Sequence, residues 1–330
     1  MAEPPRRVFL TGALGFIGRA LADRYRAEGA EVLGMDVSAD PELAVVAGDV
    51  TEPGEWQEQA RGCDLVIHLA AILGFGGHHD EFWRVNVLGT RHALDAAVRG
   101  GASRFVHTSS IVVFGLDFPD GVDEGHPVRT TGRPYTDTKI AAEQLVLQAH
   151  AAGEMECTVV RPGDVYGPRS RPWVVLPLEA IRRRQLVLPA GGRGIFSPAY
   201  VDNLVDGYLR AAADPAGVGQ VFTISDGVGI ETREFFRHHY DWLGMSGPPT
   251  VPTPVALGLA TVGDAFYRLR GQPSEANPGA VRYLARKGTY SIEKARSVLG
   301  YEPQVGLEEG LERSRAWAES AGLLSAPAAA

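Results

Sequence analysis

Val8-Phe9-Leu10-Thr11-Gly12-Ala13-Leu14-Gly15-Phe16-Ile17-Gly18 is the stretch whose reading decides the fold. An apolar run of strand length feeds a glycine turn, and the turn opens a segment with helical spacing. The first N–H groups of a helix have no intrahelical partner and lie at the positive end of its dipole, so such a junction receives a pyrophosphate. Gly12 permits the tight turn, Gly15 lets the backbone approach the phosphates, and Gly18 lets helix pack close to strand. The spacing is GxxGxxG rather than GxGxxG, so the glycines count only together with their context. That context is Asp36, which closes the next apolar run, Glu31–Met35. An acid at a second strand end accepts hydrogen bonds from the adenosine ribose and repels a 2′-phosphate. Val37-Ser38-Ala39-Asp40 behind it offers no arginine, so the cofactor reads as NAD rather than NADP.

Further short apolar runs follow at Leu43–Ala47, Leu65–Leu69, Phe105–Thr108 and Thr158–Val160, alternating with helical patterns at Phe16–Glu28, Glu81–Arg99 and Thr136–Ala151. Strands alternating with helices imply a parallel sheet covered on both faces, and right-handed crossovers make it doubly wound. After Arg161-Pro162 prolines and glycines crowd residues 162–198. A strand-helix-strand remnant, Ala199–Val201, Asp202–Ala213 and Gln220–Ile224, is expected to rejoin the sheet, and the chain beyond Gly227 reads as mainly helical. The fold class is therefore α/β, a Rossmann sheet with a smaller, mainly helical C-terminal lobe. Residues 1–165, rejoined by about 199–225, form the NAD-binding domain. Residues 166–198 and 226–330 form the substrate lobe, with a disordered alanine-rich tail at 321–330.

The 330 residues are 45% hydrophobic and 22% charged, the composition of a soluble globular protein. A net charge of -8 repels phosphate backbones and argues against a nucleic-acid partner. The longest apolar stretch, Val251 to Gly263, is broken by prolines and too short to span a bilayer, so no integral membrane segment is expected. Cys63 and Cys157 have no metal-ligand spacing; a reduced, cytoplasmic protein without a metal site is expected.

Tyr135 and Lys139 stand at i and i+4 at the start of a helical segment, on one face. Only three lysines occur in the chain (Lys139, Lys287 and Lys294), which makes the YxxxK spacing informative. A nearby ammonium and an oxidised nicotinamide both favour the phenolate, so such a tyrosine serves as general base toward an alcohol or general acid toward a ketone. Thr108-Ser109-Ser110 ends the fifth strand, where open α/β sheets bind ligands, and a hydroxyl there holds the substrate oxygen.

Together these residues resemble the extended short-chain dehydrogenase/reductase superfamily, that is, the NAD-dependent epimerase/dehydratase family. TGALGFIG, Gly48-Asp49-Val50, His68-Leu69-Ala70-Ala71, Asn86-Val87-Leu88-Gly89-Thr90, TSSIVVFG, Tyr135-x-x-x-Lys139, Arg161-Pro162-Gly163-Asp164-Val165-Tyr166-Gly167-Pro168, Tyr200-Val201-Asp202-Asn203 and Lys294-Ala295-Arg296-Ser297-Val298-Leu299-Gly300-Tyr301 all fall in family order. The resemblance implies that Ser110, Tyr135 and Lys139 are catalytic. It implies a cofactor site in which Phe16 and Ile17 join Gly12, Gly15, Gly18 and Asp36. Asp49 and Val50 would hold the adenine. Leu69, Ala70 and Ala71 would line the path to the nicotinamide, Asn86 would brace the active-site strands, and Thr108 and Pro162 would flank the ring. It implies that a homodimer is possible through the helices at 81–99 and 136–151.

Three readings of the reaction compete: alcohol/ketone oxidoreduction of a hydrophobic small molecule, as in the 3β-hydroxysteroid dehydrogenase-like branch; nucleotide-sugar epimerisation or dehydration; and NAD sensing without catalysis. The complete Ser-Tyr-Lys set disfavours the sensor. The dehydratases of the family carry an Asp-Glu pair where Ile111-Val112 follows Ser110. An epimerase must anchor a diphosphate, which calls for arginine and amide donors. Here Asp164 stands where sugar-nucleotide members carry Asn, and Phe196 where they carry Arg, although Arg193 and Arg182-Arg183-Arg184 remain as substitutes. Phe114 replaces a tyrosine common in sugar-active members. The apolar segment with Leu259, Val262, Phe266, Tyr267 and Leu269 suggests an apolar wall. Leu73, His78, Asp164 and Phe196 are the candidate substrate residues, with His79 beside them. Asp36 is expected to favour NAD over NADP by a few kcal/mol, because a buried acceptor left without its ribose donor is costly. Isothermal titration of both cofactors against the wild type and Asp36→Ala checks this, and equal wild-type affinities would refute it.

Overall fold

The computed structural model describes residues 4–74, 76–270 and 277–325, the side chains of Arg268 and Leu269 excepted. Seven parallel strands form the central sheet: β1 (Arg7–Thr11), β2 (Glu31–Asp36), β3 (Val45–Ala47), β4 (Leu65–His68), β5 (Arg104–Thr108), β6 (Cys157–Pro162) and, after three short strands elsewhere, β10 (Val221–Ile224). Their order across the sheet is β10-β6-β5-β4-β1-β2-β3. The winding reverses between β1 and β4, which opens a crevice at their carboxyl ends.

Alternation along β1 shows why both faces are covered. Val8 and Leu10 point into a core with α1 (Phe16–Ala27) and α6 (Val201–Ala213), while Phe9 points into a second core on the opposite face. That second core holds α3 (Gly89–Gly100) and α4 (Pro134–Ala151). The helical pattern at 81–99 is not one helix: α2 (His79–Trp83) passes through a π-helical turn, Arg84–Leu88, before α3 begins. Inside that turn the Thr90 hydroxyl donates to the Asn86 carbonyl at 2.7 Å, and the Asn86 side chain is drawn toward residue 72. Widened turns of this kind occur frequently at functional sites.

The expected strand at Ala199–Val201 is corrected. It is β9 (Pro198–Tyr200), and it pairs with β7 (Asp164–Tyr166) in a separate two-stranded sheet. The chain leaves the main sheet at Pro162, which has no N–H to give. The Asp164 amide then bonds to the Ser197 carbonyl at 2.7 Å, and the Asp164 carboxylate takes the Ser197 amide at 2.8 Å. Only α6 and β10 return to the sheet. β8 (Ile195–Phe196) pairs with β11 (Ile230–Glu231) in another two-stranded sheet.

The rest of the chain is helical: α5 (Leu176–Arg182), α7 (Thr232–Trp242), α8 (Thr253–Leu269), α9 (Pro278–Leu284), α10 (Glu293–Leu299) and α11 (Leu307–Ser320). Tyr166, Phe196, Tyr200, Phe235 and Leu311 bind β7, β8, β9, α7 and α11 into a third core. The tail departs from expectation over residues 321–325. Arg182 donates to the Leu323 and Ser325 carbonyls, and Leu323 and Leu324 pack under α5. Residues 326–330 lie outside the described residues.

Three histidines are buried without charge. Burial pushes His68 down to about 3 and His239 to about 4, and carries His107 well below the usual value, aided by the positive charge of Lys139. Their folded pKa values lie below the unfolded value of ~6.5, so the unfolded chain binds more protons as pH falls below it. Stability contributed by these groups is complete above about 6.5 and is lost as pH falls, at ~1.4 kcal/mol per pH unit for each histidine. Asp226, raised by burial to about 6, acts in the opposite sense and offsets one of them. Thermal melting between pH 7.5 and 5 is expected to show a midpoint that drops steadily, and a flat profile would contradict buried neutral histidines.

Candidate active site

The carboxyl ends of β1, β4, β5 and β6 place the predicted residues around one crevice. At the glycine turn Gly12 has φ +69°, and a Cβ there would lie 2.9 Å from the Ala70 amide nitrogen. A Cβ on Gly18 would stand 2.2 Å from the Gly12 carbonyl oxygen, so the helix packs on the turn only with glycine. Gly15 precedes α1 with no side-chain cap on the helix, so the amides of Phe16 and Ile17 face outward from the turn. The Asp36 carboxylate accepts from the Leu14 amide at 2.9 Å and the Val37 amide at 2.8 Å, which ties the turn to the end of β2. Each oxygen keeps a lone pair for a ribose hydroxyl. The residues present therefore fit a dinucleotide.

Asp49 is exposed, its carboxylate capping the Thr51 amide at 2.8 Å. The Val50 side chain is buried against Gly89, and its carbonyl meets His92 Nδ1 at 2.8 Å. Leu69, Ala70 and Ala71 are half-buried at the end of β4. Asn86 needs correcting as a cofactor ligand. It is buried, its oxygen accepts the Ile72 amide at 2.8 Å, and its nitrogen donates to the Ile72 carbonyl and to Thr138, both at 3.1 Å. With its amide fully engaged it braces the loop against α4, as the resemblance also implied.

Counting protons assigns the neutral tautomer of His68. Thr90 spends its one hydroxyl proton on the Asn86 carbonyl, so the 3.0 Å contact between His68 Nε2 and Thr90 must run from Nε2–H to the hydroxyl oxygen. Nδ1 then accepts from Thr11, at 2.7 Å, while the Thr11 oxygen takes the Leu69 and Ala70 amides at 3.3 Å each. One chain of hydrogen bonds thus runs from the loop at Ala70 to the turn that holds Asn86. Thr11 and Thr90 lie within family motifs, but neither they nor Thr138 received a role from the sequence, because threonines near strand and helix ends are common.

Ser110 favours the charged form of the Tyr135 phenol, but burial outweighs this and pushes the phenol up to about 12. Lys139 is buried and donates to the Thr108 carbonyl at 2.8 Å. Burial brings it down to about 8, partly restored by Glu143. The expected lowering of the tyrosine by its neighbouring ammonium is not found among the chain's own groups, because desolvation outweighs it. On the other side of β5, Tyr208 donates to the Thr108 hydroxyl at 2.8 Å, so Thr108 is held by α6 and holds Lys139. Pro162 is buried at the end of β6.

Beneath this set lies an ion pair that sequence reading missed. Glu143 and Arg161 are both buried, with contacts of 2.5 and 3.0 Å, and Ser109 donates to the same carboxylate at 2.7 Å. The available signal was Glu143 one helical turn beyond Lys139 on the buried face of α4.

Two candidate substrate residues are corrected. Asp164 is buried in an ion pair with Arg286 and accepts from the Tyr283 hydroxyl at 2.5 Å and from the Ser197 amide. Phe196 is 0% exposed and stacks on Phe235 with centroids 3.9 Å apart. Neither presents a surface to a ligand. Phe114 is likewise core, packed on Tyr290 and Phe118 under the Arg161 guanidinium. Leu73 and His78 are exposed on the loop after β4, and His79 beside them donates toward the Gly132 carbonyl at 3.3 Å. Of the arginines offered as substitute anchors, Arg182 is spent on the tail. The α8 stripe of Val255, Leu259, Val262, Phe266 and Tyr267 faces outward, with Leu259 62% exposed. Leu269 lies outside the described side chains.

A model of the NAD dependent epimerase/dehydratase family matches residues 8–225. The chain is 33% identical over 324 residues to the 4-hydroxy-2-methyl-3-oxo-4-farnesyl-3,4-dihydroquinoline-1-oxide ketoreductase of Stigmatella aurantiaca, covering 94% of this chain and 96% of that one. It is 31% identical over 326 residues to the 3 beta-hydroxysteroid dehydrogenase/Delta 5-->4-isomerase of Mycobacterium tuberculosis, covering 92% and 88%. Among solved structures it matches MoeE5 in complex with UDP-glucose and NAD with a TM-score of 0.76 and 27% identity, over 96% of this chain and 99% of that one.

If Tyr135 transfers the proton, Tyr135→Phe leaves NAD binding nearly intact and lowers turnover at least ~10²-fold. Lys139→Ala weakens both, because it also unties the end of β5. Turnover and cofactor titration on the two variants check this, and near wild-type turnover by Tyr135→Phe would remove it from the base position.

Proposed function

The chain belongs to the NAD dependent epimerase/dehydratase family and is an NAD-dependent oxidoreductase of the extended short-chain dehydrogenase/reductase type; from that premise we propose that it interconverts a secondary alcohol and a ketone on a bulky, hydrophobic small molecule. NAD, when bound, supplies the hydride acceptor or, reduced, the donor. Ser110 and Tyr135 hold the reacting oxygen, and Tyr135 takes or returns its proton. Lys139, fixed by the Thr108 carbonyl, stays protonated at neutral pH and keeps positive charge beside the phenol. Residues 1–165 with about 199–225 are assigned to the cofactor, and 166–198 with 226–330 to the substrate.

The observation that carries this reading against nucleotide-sugar chemistry is the fate of Arg286. It is a buried cation among the helices beyond β11, and Asp164 neutralises it completely. A diphosphate would have to displace a carboxylate already paired in a dry environment, at a cost of several kcal/mol. Phe196 occupies the other anchor position and is locked into aromatic packing. The relatives named for a farnesylated quinoline and for hydroxysteroids support an apolar substrate. Phe114 and Phe196 play no part in it, since both are core residues, and the segment expected to form an apolar wall, with Leu259, Val262, Phe266 and Tyr267, is an exposed stripe of α8. Epimerisation is the second reading, favoured by the likeness to a solved structure bound to UDP-glucose.

With NADH, hydrophobic cyclic or long-chain ketones are expected to be reduced, and with NAD the matching alcohols oxidised, followed at the NADH absorbance band. UDP- and GDP-sugars are expected to be neither oxidised nor epimerised when their products are separated by chromatography. Epimerisation of any nucleotide sugar at useful rates would sink the apolar-substrate reading.

A further inference from the structure

A cavity of about 190 Å³ opens between α1, β2, β3 and the loop after β7. None of the described residues that line it has been assigned to catalysis or to the dinucleotide, and Ala13 is its one contact with the glycine turn. The floor is apolar. Ala22, Val32 and Val45 belong to the core that Val8 and Leu10 fill, and Leu43 packs against it. The rim is ionic. Arg19, Asp23 and Arg26 stand at i, i+4 and i+7 on one face of α1, and Arg169 joins them from the loop after β7.

Hydrogen bonds fix two of these guanidiniums in place. Arg26 donates through Nη2 to the Leu43 carbonyl at 2.7 Å and the Val32 carbonyl at 3.4 Å, with Nη1 4.0 Å from Asp23. Arg19 donates through Nε to the Leu14 carbonyl at 3.0 Å. That bond uses one of its five N–H groups, and the other four are on the two terminal nitrogens. The backbone around the cavity is strained as well. Arg169 has φ +73°, and Ala44, between the lining residues Leu43 and Val45, has φ +52°. They are two of the four non-glycine residues with positive φ among the described residues. Such a conformation persists only where the surroundings impose it, and it gathers at ligand sites. Three guanidiniums around one cavity repel one another, and the lining carboxylate, Asp23, cancels one of the three charges.

We propose that this cavity binds a small phosphate monoester with a short apolar body, and that its occupancy tightens the hold on NAD. The site stands whichever alcohol or ketone the enzyme acts on. A monoester carries close to two negative charges at neutral pH, which matches the excess on the rim. Guanidinium forks meet phosphate oxygens in pairs of hydrogen bonds. The apolar floor takes the body of the ligand by area burial, and the volume admits a phosphate with a few carbon atoms. Leu14 links this cavity to the cofactor. Asp36 takes its amide at 2.9 Å and Arg19 holds its carbonyl, so a ligand that fixes Arg19 also fixes the turn that Asp36 ties to β2. Ordering brought about by one ligand is not required again of the second, and the effect is reciprocal.

The test titrates phenyl phosphate calorimetrically into the full-length protein saturated with NAD, so that the pyrophosphate site is already filled. Wild type is expected to bind it at least tenfold more tightly than benzoate, which carries a single charge, and to give no heat with benzyl alcohol. Arg19→Gln and Arg169→Gln are each expected to weaken it at least tenfold. Arg24→Gln, on α1 but outside the cavity, is expected to leave it unchanged. In the converse titration phenyl phosphate is expected to tighten NAD at least threefold in wild type and not in Arg169→Gln, whose own NAD binding reports that the fold is in place. No binding to the NAD-saturated protein, or binding that neither Gln variant weakens, overturns the site. Weaker NAD binding in wild type and Arg169→Gln alike would place phenyl phosphate in the glycine turn and overturn it too. Binding at the cavity without any tightening of NAD overturns the link through Leu14. NADP bound as tightly as NAD, and only with Arg169 present, would assign the cavity to a 2′-phosphate and overturn a separate site.

Discussion

Glu143 and Arg161 share a fully buried ion pair, and the three elements that carry Ser110, Tyr135, Lys139 and Pro162 hang from it. Glu143 is on α4 one turn past Lys139; Arg161 leads into Pro162 at the end of β6; Ser109, which donates to the same carboxylate, sits beside Ser110 at the end of β5. Removing one charge from such a pair leaves the other uncompensated in a dry interior, a loss of ~3–5 kcal/mol. What the pair provides is register. A helix and two strand ends meet at one carboxylate, so Tyr135 and Lys139 keep their positions relative to Ser110. The same negative charge partly offsets the desolvation of Lys139, which stays near 8 rather than lower.

A second buried pair, Asp164 with Arg286, lies just past the end of β6, at the start of β7, and does different work. It links β7 to the segment after α9, and Tyr283 closes the arrangement by donating to the remaining oxygen.

The polar groups between the end of β4 and the π-helical turn are arranged to remain neutral. His68 is fixed in one tautomer by Thr11 and Thr90, and its ring stacks on His107 with centroids 5.8 Å apart. Both rings lie near Lys139, and a charge on either would add a second cation to a buried region. Neutral histidines let the hydrogen-bond chain from Ala70 to Asn86 run through the core with Lys139 as the charge nearest to them. The cofactor loop and the π-helical turn are thus coupled by dipoles and not by ions.

The sequence by itself determined what depends on neighbours in the chain. The glycine spacing at 12, 15 and 18, Asp36 at a strand end, and Tyr135 with Lys139 one turn apart are local patterns. The backbone geometry they need is set within a few residues, and each lands where the pattern requires. The alternation of apolar runs and helical segments likewise fixed the parallel sheet, because burial on both faces follows from periodicity. Tertiary structure alone decided which partner each remaining polar or aromatic group would meet. Asp164 and Arg286 are 122 residues apart, and nothing in either segment announces the other. Phe196 read as a candidate substrate residue and Phe114 as a departure from sugar-active members, and both are core, since an apolar residue near a site is equally suited to either side of it. Charge pairing and burial depend on distance in space, and the chain sets that distance only after every element has packed.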